Sequence, residues 1–447
     1  MPVWDQRREE WGTHSEDARS PYDVDYSRVI HSGSFRRLQG KPQILYLGDS
    51  DFYRTRLTHS LEVSQIGIGI VRQLRKFYAS HPSNTVLPET TMIEAICLTH
   101  DLGHPPFGHG GEVALNYCMR AHGGFEANGQ TLRILSKLEK FSKAAGANFT
   151  RRTLLGILKY PVRFSSARNP KLIPKLVEGT SATQILDRKA SKPPKCYLDS
   201  EEDVVEWLLK DFSINDRYQF ARMEVAEPDK HRKSIHKSFD CSIMDVADDI
   251  AYGVHDLEDA VAVGLVSEGQ FREDVDDGVC SKFLDGLKAK YPKETGNNVY
   301  DYFVAALFAD GGTRKRQIGR LVHHFVTNLE PCEIDDFESP VLRYRVKLKD
   351  EVKPFLEALK RFVATQVIRS PNVQQLEFKG QQMVVKVYEA LVTDPSSLLP
   401  TDTYKRFQAV SDYRVIGDYI AGMTDHFLMR TYDRLYSPRI GSVFDKL

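Results

Sequence analysis

Three histidines and two carboxylates crowd the segment Leu98-Thr99-His100-Asp101-Leu102-Gly103-His104-Pro105-Pro106-Phe107-Gly108-His109-Gly110-Gly111-Glu112. Imidazole nitrogen and carboxylate oxygen together suit borderline cations such as zinc, manganese, iron, cobalt or nickel, and leave coordination positions for water. The spacing of apolar residues predicts a helix that enters from Thr91 and ends near His104, because Gly103 and the Pro105-Pro106 pair cannot continue it. His100 and Asp101 extend the apolar face of Ile93, Ile96 and Cys97, so they are expected to point inward. An inward charge is costly unless something compensates it, and a metal ion is the obvious compensation. The plain alternative is a chance His-Asp dipeptide or a helix-end cap.

Two further segments shift that balance. His59, in Arg54-Thr55-Arg56-Leu57-Thr58-His59-Ser60-Leu61-Glu62, begins the apolar stripe of Val63, Ile66 and Ile70 and so also faces inward. A lone histidine on such a face is more often a satisfied core residue, but Arg54 and Arg56 beside it offer a place for anions. Those arginines read equally well as solvated charges. Much later, Ile243, Ala247, Ile250, Val254 and Leu257 form one helical stripe, while Asp248, Tyr252 and Asp256 stack at four-residue steps beside it. An acidic face is often only solvated; a tyrosine between two carboxylates is better explained by a pocket.

The elements that must position these residues are mostly helices. The chain has 447 residues, 41% hydrophobic and 27% charged, enough for a large core and unlike a disordered chain. Strand-like alternation is scarce. The charged start to about Arg28 reads as an arm, and Arg188 to Asp203 and Gly269 to Asn298 read as loops or peripheral insertions. Lysine plus arginine equals aspartate plus glutamate at 61 each, so no global charge excess advertises nucleic acid. Arg151-Arg152 and Arg314-Lys315-Arg316 are short, and Arg343, Arg345, Lys347 and Lys349 alternate like one solvated face of a short strand. Six scattered cysteines without a CxxC pair fit reduced thiols. The absence of a long apolar run and of a signal-like start leads to the expectation of no membrane partner and a cytoplasmic protein.

His59, His100-Asp101 and Asp248 form the ordered H…HD…D pattern of the HD superfamily, an all-α fold whose members are mostly metal-dependent phosphohydrolases. The string HDLGHPPFGHGGE, with RTRLTHSLEV before it and ADDIAYGVHDLEDA after it, resembles the bacterial deoxyguanosine triphosphate triphosphohydrolase family. Phe125 to Gln130, Leu158 to Pro161 and Asp418 to Asp425 are similar to that family's segments as well, so the resemblance spans roughly residues 30 to 430. It implies an N-terminal arm over 1–28, an HD-domain core over 29–265 with an insertion near 188–235, peripheral helical insertions, and a mainly helical part over 266–447 that completes a nucleotide pocket.

The implied reaction converts a deoxynucleoside triphosphate, dGTP in the first place, to deoxynucleoside and intact triphosphate. By resemblance His59, His100, Asp101 and Asp248 hold a divalent ion, manganese, magnesium or another first-row metal, that polarises the α-phosphate or activates water. Metal-activated water ranks above direct attack by histidine. His109, with Glu112 three residues on to orient its ring, is the acid/base pair, and His104 donates to the phosphates. Lys159, Arg56 and either Arg54 or Arg37 are expected to neutralise the triphosphate; Tyr160 and Asn128 join the substrate site. Gln43 and Asp256 are expected to bond the 3′-hydroxyl while Tyr252 excludes a 2′-hydroxyl. The family resemblance also implies a homo-oligomer, often a hexamer, and leaves single-stranded DNA open as a partner. The competing readings are an HD phosphodiesterase or phosphatase on another nucleotide, and a nucleotide- or nucleic-acid-binding regulator with a vestigial metal site.

Overall fold

The computed structural model of the chain describes residues 2–10, 16–44, 54–179 and 185–438. Helices dominate: α1 (Pro21–His31), α2 (Gly33–Arg37), α3 (Arg56–Phe77), α4 (Thr90–Thr99), α5 (Gly108–Cys118), α6 (Ala127–Arg133) and α7 (Arg151–Ile157) build the first half. They are followed by α8 (Glu202–Leu209), α9 (Phe239–Ala262), α10 (Ser281–Lys290), α11 (Val299–Leu307), α12 (Gly311–Thr327), α13 (Lys353–Phe362), α14 (Pro371–Thr393), α15 (Arg414–Ala421) and α16 (Asp425–Tyr436). The only sheet among the described residues is an antiparallel pair, β1 (Leu329–Glu333) with β2 (Tyr344–Leu348), in the register Leu329 to Leu348 and Glu333 to Tyr344. Tyr344, Val346 and Leu348 are buried while Arg345 and Lys347 lie on the other face, as their alternation predicts.

Three helices form the centre. α3 packs against α4 and α9, and α9 also packs against α4. The α9 stripe Ile243, Ala247, Ile250, Val254 and Leu257 is wholly buried, each larger side chain contributing about 1.5–3 kcal/mol of transfer free energy. Close approach of α3 to α4 depends on Gly67, where an added Cβ would lie 2.7 Å from Cys97 Sγ. A capping box between Thr55 and Thr58 starts α3 at Arg56, which places His59 one turn inside it on the same face as Val63, Ile66, Ile70 and Leu74.

The described part of the N-terminal segment is an anchored arm. Arg7 pairs with buried Asp25 at 2.5 Å and also donates to Asn148 O, and Trp4 stacks beside Phe212. Its charges are consumed in such pairs, which is why low hydrophobicity there does not leave the segment loose. The apolar core around α3, α4 and α9 also takes in α10 to α13, so packing crosses position 265; a second cluster joins α5 to α14, α15 and α16. The division at residue 265 is thus a proposal about chain organisation rather than a seam in the packing.

Two expectations need correction. Gly269 to Asn298 is largely helical, carrying α10 and the short helices Glu268–Asp274 and Pro292–Thr295. Phe271, Phe283 and Leu287 bury this region, but the long polar intervals between them hide the helical period. α4 ends at Thr99 and not near His104. The Thr99 hydroxyl donates to Ala95 O at 3.0 Å and to Ile96 O at 2.9 Å, so it competes for the carbonyl that the His100 N–H needs, and that N–H turns to Cys97 O instead.

Candidate metal and phosphate site

Because α4 stops early, His100 and Asp101 sit at and just beyond its C-terminus, and the following turns, with Leu102 N–H on Thr99 O and His104 N–H on Asp101 O, hold them in place. Phe107 and Gly108 both adopt left-handed backbone, φ 62° and 55°, and reverse the chain into α5. Left-handed geometry is uncommon for phenylalanine. It is supported here by the Phe107 N–H, which donates to Asp425 Oδ1 at 3.2 Å, and by Lys41 Nζ, which donates to His104 O at 2.6 Å and Ala421 O at 2.9 Å. Burial pushes the Lys41 ammonium down and the Asp425 carboxyl up from their usual values. The C-terminal helices thereby clamp the turn that carries His104 and His109.

His59 from α3, His100 and Asp101 from the end of α4, and Asp248 from α9 converge. Ligand atoms of His59, His100 and Asp101 all lie within 4.8 Å of one another. Asp248 Oδ1 stands 3.2 Å from His59 Nε2 and 3.6 Å from His100 Nε2, and Asp101 Oδ1 stands 3.5 Å from His100 Nε2. Ligands sharing one cation at bonds of about 2.0–2.2 Å sit roughly 3–3.5 Å apart, so these separations are of the right size. The tautomer of His100 is the sharper test. Its Nδ1 lies 2.7 Å from Cys97 O, which can only accept, so Nδ1 carries a proton, and in the neutral ring, the form that ligates metal, Nε2 presents a lone pair. That lone pair faces two carboxylates and has no hydrogen-bond partner. Three electron-rich atoms turned toward one another are repulsive unless a cation lies among them, and the donor set fits a divalent metal.

The electrostatics agree. Burial raises the Asp101 carboxyl, but His104, Arg56 and His100 outweigh it and hold the group well below the usual range. Asp248 is likewise penalised by burial and pulled down by His100, Lys159 and His59, while burial lowers the His59 imidazole. Both carboxylates are thereby held in the ionised form that a metal ion requires.

Around this centre lie the other candidates. Arg56 pairs with Asp101 at 2.5 Å, and His104 Nδ1 stands 3.1 Å from the same carboxylate. The His104 and His109 rings meet edge to face at 5.5 Å. The His109 ring reaches solvent, yet the packed walls around it, then His104, Lys195 and Arg56, hold its basicity below the usual histidine range against the pull of Glu112. Glu112 gives its hydrogen bond to the Ala127 N–H at 2.9 Å, and its influence on His109 is through charge. Lys159 lies 2.7 Å from Asp245 and 3.4 Å from Asp248; burial opposes its charge, but these carboxylates hold the ammonium well above the lysine range. Tyr160 is half-buried beside it, and Asn128 donates to Glu126 Oε1 at 2.7 Å.

Arg54 ties the Gln43 backbone to α9: its carbonyl accepts the Gln43 N–H at 3.0 Å and its guanidinium donates to His255 O at 2.8 Å. Gln43 Oε1 and Asp256 Oδ1 are buried without a partner, and burial, with Asp259 adding to it, raises the Asp256 carboxyl well above the carboxylate range. Tyr252 lies half-buried between Asp248 and Asp256 on α9. Two arginines fall elsewhere. Arg54 is spent on Glu62, Glu258 and Asp259. Arg37 donates to Ser34 Oγ and lines a separate cavity of about 660 Å³ with Gly422, Thr424 and Phe427. Neither pairs with Asp101 or Asp248, as Arg56 and Lys159 do.

Sequence reasoning missed Lys195, Lys41 and Asp425. Lys195 is 2.9 Å from Glu126 and 3.6 Å from Glu112, a recessed cation beside the His109 turn. It lies in a proline-rich tract that reads as loop, but Tyr197 pins that tract by exchanging backbone hydrogen bonds with Val162 and Phe164 at 2.9 Å.

Comparison with known proteins places this geometry. Residues 56–157 match the family model described as HD domain, and residues 346–434 match that described as phosphohydrolase-associated domain. A deoxyguanosinetriphosphate triphosphohydrolase-like protein of Shewanella pealeana is 46% identical over 455 residues, covering 99% of this chain and 98% of the relative. The deoxyguanosinetriphosphate triphosphohydrolase-like protein 2 of Deinococcus radiodurans is 44% identical over 447 residues, covering 99% and 98%. A Shewanella loihica relative with the first name is 44% identical over 449 residues and 99% of both chains. No helix among the described residues is long and apolar enough to cross a membrane.

Proposed function

Since this chain belongs to the deoxyguanosinetriphosphate triphosphohydrolase-like family of HD-domain phosphohydrolases, we propose that it hydrolyses deoxynucleoside triphosphates, dGTP foremost, to deoxynucleoside and triphosphate. The observation that carries this reading is the His100 Nε2 lone pair held between Asp101 and Asp248 beside His59. These four residues would hold a divalent ion, which when bound supplies Lewis acidity toward an α-phosphate oxygen and toward water.

The chain's own groups do the rest. Lys159, next to Asp248, and Arg56, next to Asp101, put cationic charge beside the same centre, where a substrate of about four negative charges needs it. Lys195 adds a third cation on the His109 side. The walls around His109, with His104, Lys195 and Arg56, hold its basicity below the usual histidine range; a nearby polyanion raises it, so substrate binding favours the protonated ring. As water oxygen bonds the α-phosphorus and the bond to the 5′ oxygen breaks, that proton goes to the departing 5′ oxygen, while one water proton stays on the new triphosphate and the other passes to solvent. Glu112 favours the protonated ring through its charge. The unpartnered oxygens of Gln43 and Asp256 supply acceptors for a 3′-hydroxyl, and Tyr252 between Asp248 and Asp256 is the residue to exclude a 2′-hydroxyl. A homo-oligomer belongs to the same reading.

The test is incubation of the protein with each of the four deoxynucleoside triphosphates and Mn²⁺ or Mg²⁺, with the products resolved by anion exchange. Deoxynucleoside and intact triphosphate are expected, and His109→Ala should lose about 10²–10⁴ in kcat while still binding metal. Release of monophosphate with pyrophosphate, or of diphosphate with phosphate, refutes the reading in favour of another phosphohydrolase.

A further inference from the structure

On the side of the molecule formed by α10 and α12 lies a cleft of about 620 Å³. Lys282 and Lys290 from α10 and Arg316 and Arg320 from α12 all line it, against Glu351 as the single lining carboxylate. The whole chain balances its charges at 61 of each sign, so this concentration is local. Lys282 pairs with Glu351 at 3.2 Å and Arg320 with Glu294 at 2.8 Å. Lys290 and Arg316 have no carboxylate within ion-pair distance among the described residues: Arg316 donates to Thr313 Oγ1 at 3.2 Å and Lys290 stands 5.7 Å from the Tyr291 ring. Like charges gathered in a concavity repel, a cost that an anion removes.

The cleft is held open by its construction. α11 wedges under both helices, Phe303 meeting Phe283 of α10 at 5.0 Å while packing α11 against α12. Gly286 and Gly319 lie along the two walls, and a Cβ added at either meets nothing within 4 Å. The floor is apolar and aromatic, with Phe283 and His324 edge to face at 5.3 Å and Arg320 stacked 3.8 Å over Tyr291 at one end. The opposite face of α12 packs on α3 and α9, so this cleft is separate from the metal and phosphate site and does not rest on its reading.

We propose that the α10–α12 cleft is a second anion site that binds one small compound carrying two or more phosphoryl groups. With Lys282 set against Glu351 and Arg320 against Glu294, the unpaired cations are Lys290 on one wall and Arg316 on the other; a diphosphate or triphosphate chain can engage both walls at once, whereas a single phosphate serves one. A nucleic-acid strand spreads one charge per residue along an extended track, and this compact cleft gathers its cations in one place.

Isothermal titration of the full-length protein without divalent metal, using inorganic triphosphate, tests the assignment. Wild type should show a cleft-bound equivalent that weakens at least tenfold in Lys290→Ala/Arg316→Ala and in Gly319→Leu, which projects a side chain into the cleft from a position where a Cβ meets nothing within 4 Å. The double alanine variant changes only exposed or partly exposed charges, so it answers the question even if the leucine variant is unstable. The same step should weaken steeply with salt and be at least tenfold weaker for orthophosphate. Unchanged binding in both variants, no binding at millimolar triphosphate, equal affinity for orthophosphate, or binding of a single-stranded oligonucleotide but not of triphosphate would each overturn it.

Discussion

Replacing His100 by alanine should abolish metal-linked stabilisation while leaving the protein folded. In the metal-free site the His100 Nε2 lone pair is aimed at Asp101 Oδ1 and Asp248 Oδ1, 3.5 and 3.6 Å away, without a hydrogen bond. Its removal relieves that opposition, so metal-free destabilisation should fall below the roughly 2–5 kcal/mol usual for truncating a large buried side chain. With metal the effect is larger. A cation held at one hundred times its Kd stabilises by about 2.7 kcal/mol, and about 4.1 kcal/mol at a thousandfold. Unfolding entropy near 2.1 cal/mol/K per residue gives about 0.9 kcal/mol per degree for 447 residues, so wild type should gain about 3 °C at the first concentration. Loss of a direct ligand costs at least the roughly 100-fold that an outer partner can cost, which reduces the gain at that Mn²⁺ concentration to under about 0.5 °C. Thermal melts with and without Mn²⁺, together with metal counting after dialysis, read both numbers. One Mn²⁺ per chain at unchanged Kd and with an unchanged thermal shift in His100→Ala would refute the assignment of this cluster.

Asp256→Ala should lower kcat/KM for a deoxynucleoside triphosphate by about 10- to 100-fold, the worth of one buried hydrogen bond to the 3′-hydroxyl, and should leave hydrolysis of the 2′,3′-dideoxy analogue nearly unchanged; equal losses on both substrates contradict a 3′ contact. Asp425→Ala strands the buried Phe107 N–H at a cost of about 1–3 kcal/mol and frees the His104 to His109 turn, so kcat should fall about tenfold with KM and Mn²⁺ affinity within twofold, and Asp425→Asn should restore it; loss of metal binding in the alanine variant would show global damage instead of misplacement. His236 accepts from Arg345 at 2.7 Å, and burial followed by that guanidinium takes its pKa down to about 4, below the unfolded value near 6.5. The folded state therefore binds fewer protons than the unfolded one between those values: the contribution is intact above pH 6.5 and is lost as pH falls toward 4, at most about 3 kcal/mol. Urea midpoints at pH 7 and 4.5 should separate less in His236→Asn, which keeps an acceptor for Arg345, than in wild type.

How much could be read from the residues alone depended on whether the information was local. His59, His100, Asp101 and Asp248 are each placed by a single helix whose apolar stripe lies in the chain itself, and three such stripes packing together suffice to make their polar members meet. Tyr252 and Asp256 follow from the same α9 periodicity. Even the error in where α4 ends was small in consequence, since a chain stopped by the Thr99 hydroxyl still delivers His100 and Asp101 inward.

Cations behaved otherwise, because a charge declares its type but not its partner. Arg54 and Arg56 are two residues apart and looked alike; the first is spent on Glu62, Glu258 and Asp259, two of them about two hundred positions away, while the second reaches Asp101. Lys41 and Lys195 gained their places through Ala421 and Glu126, contacts no local window contains. Burying a lysine is so costly that each such placement must be balanced by several acceptors from separate elements. The candidate ligand cluster is consequently a product of secondary structure, whereas the cations around it are placed by tertiary charge pairing. Substitutions that reassign those pairs, such as removing Glu62 or Asp259 around Arg54, are the changes through which substrate charge recognition can drift while the metal centre stays in place.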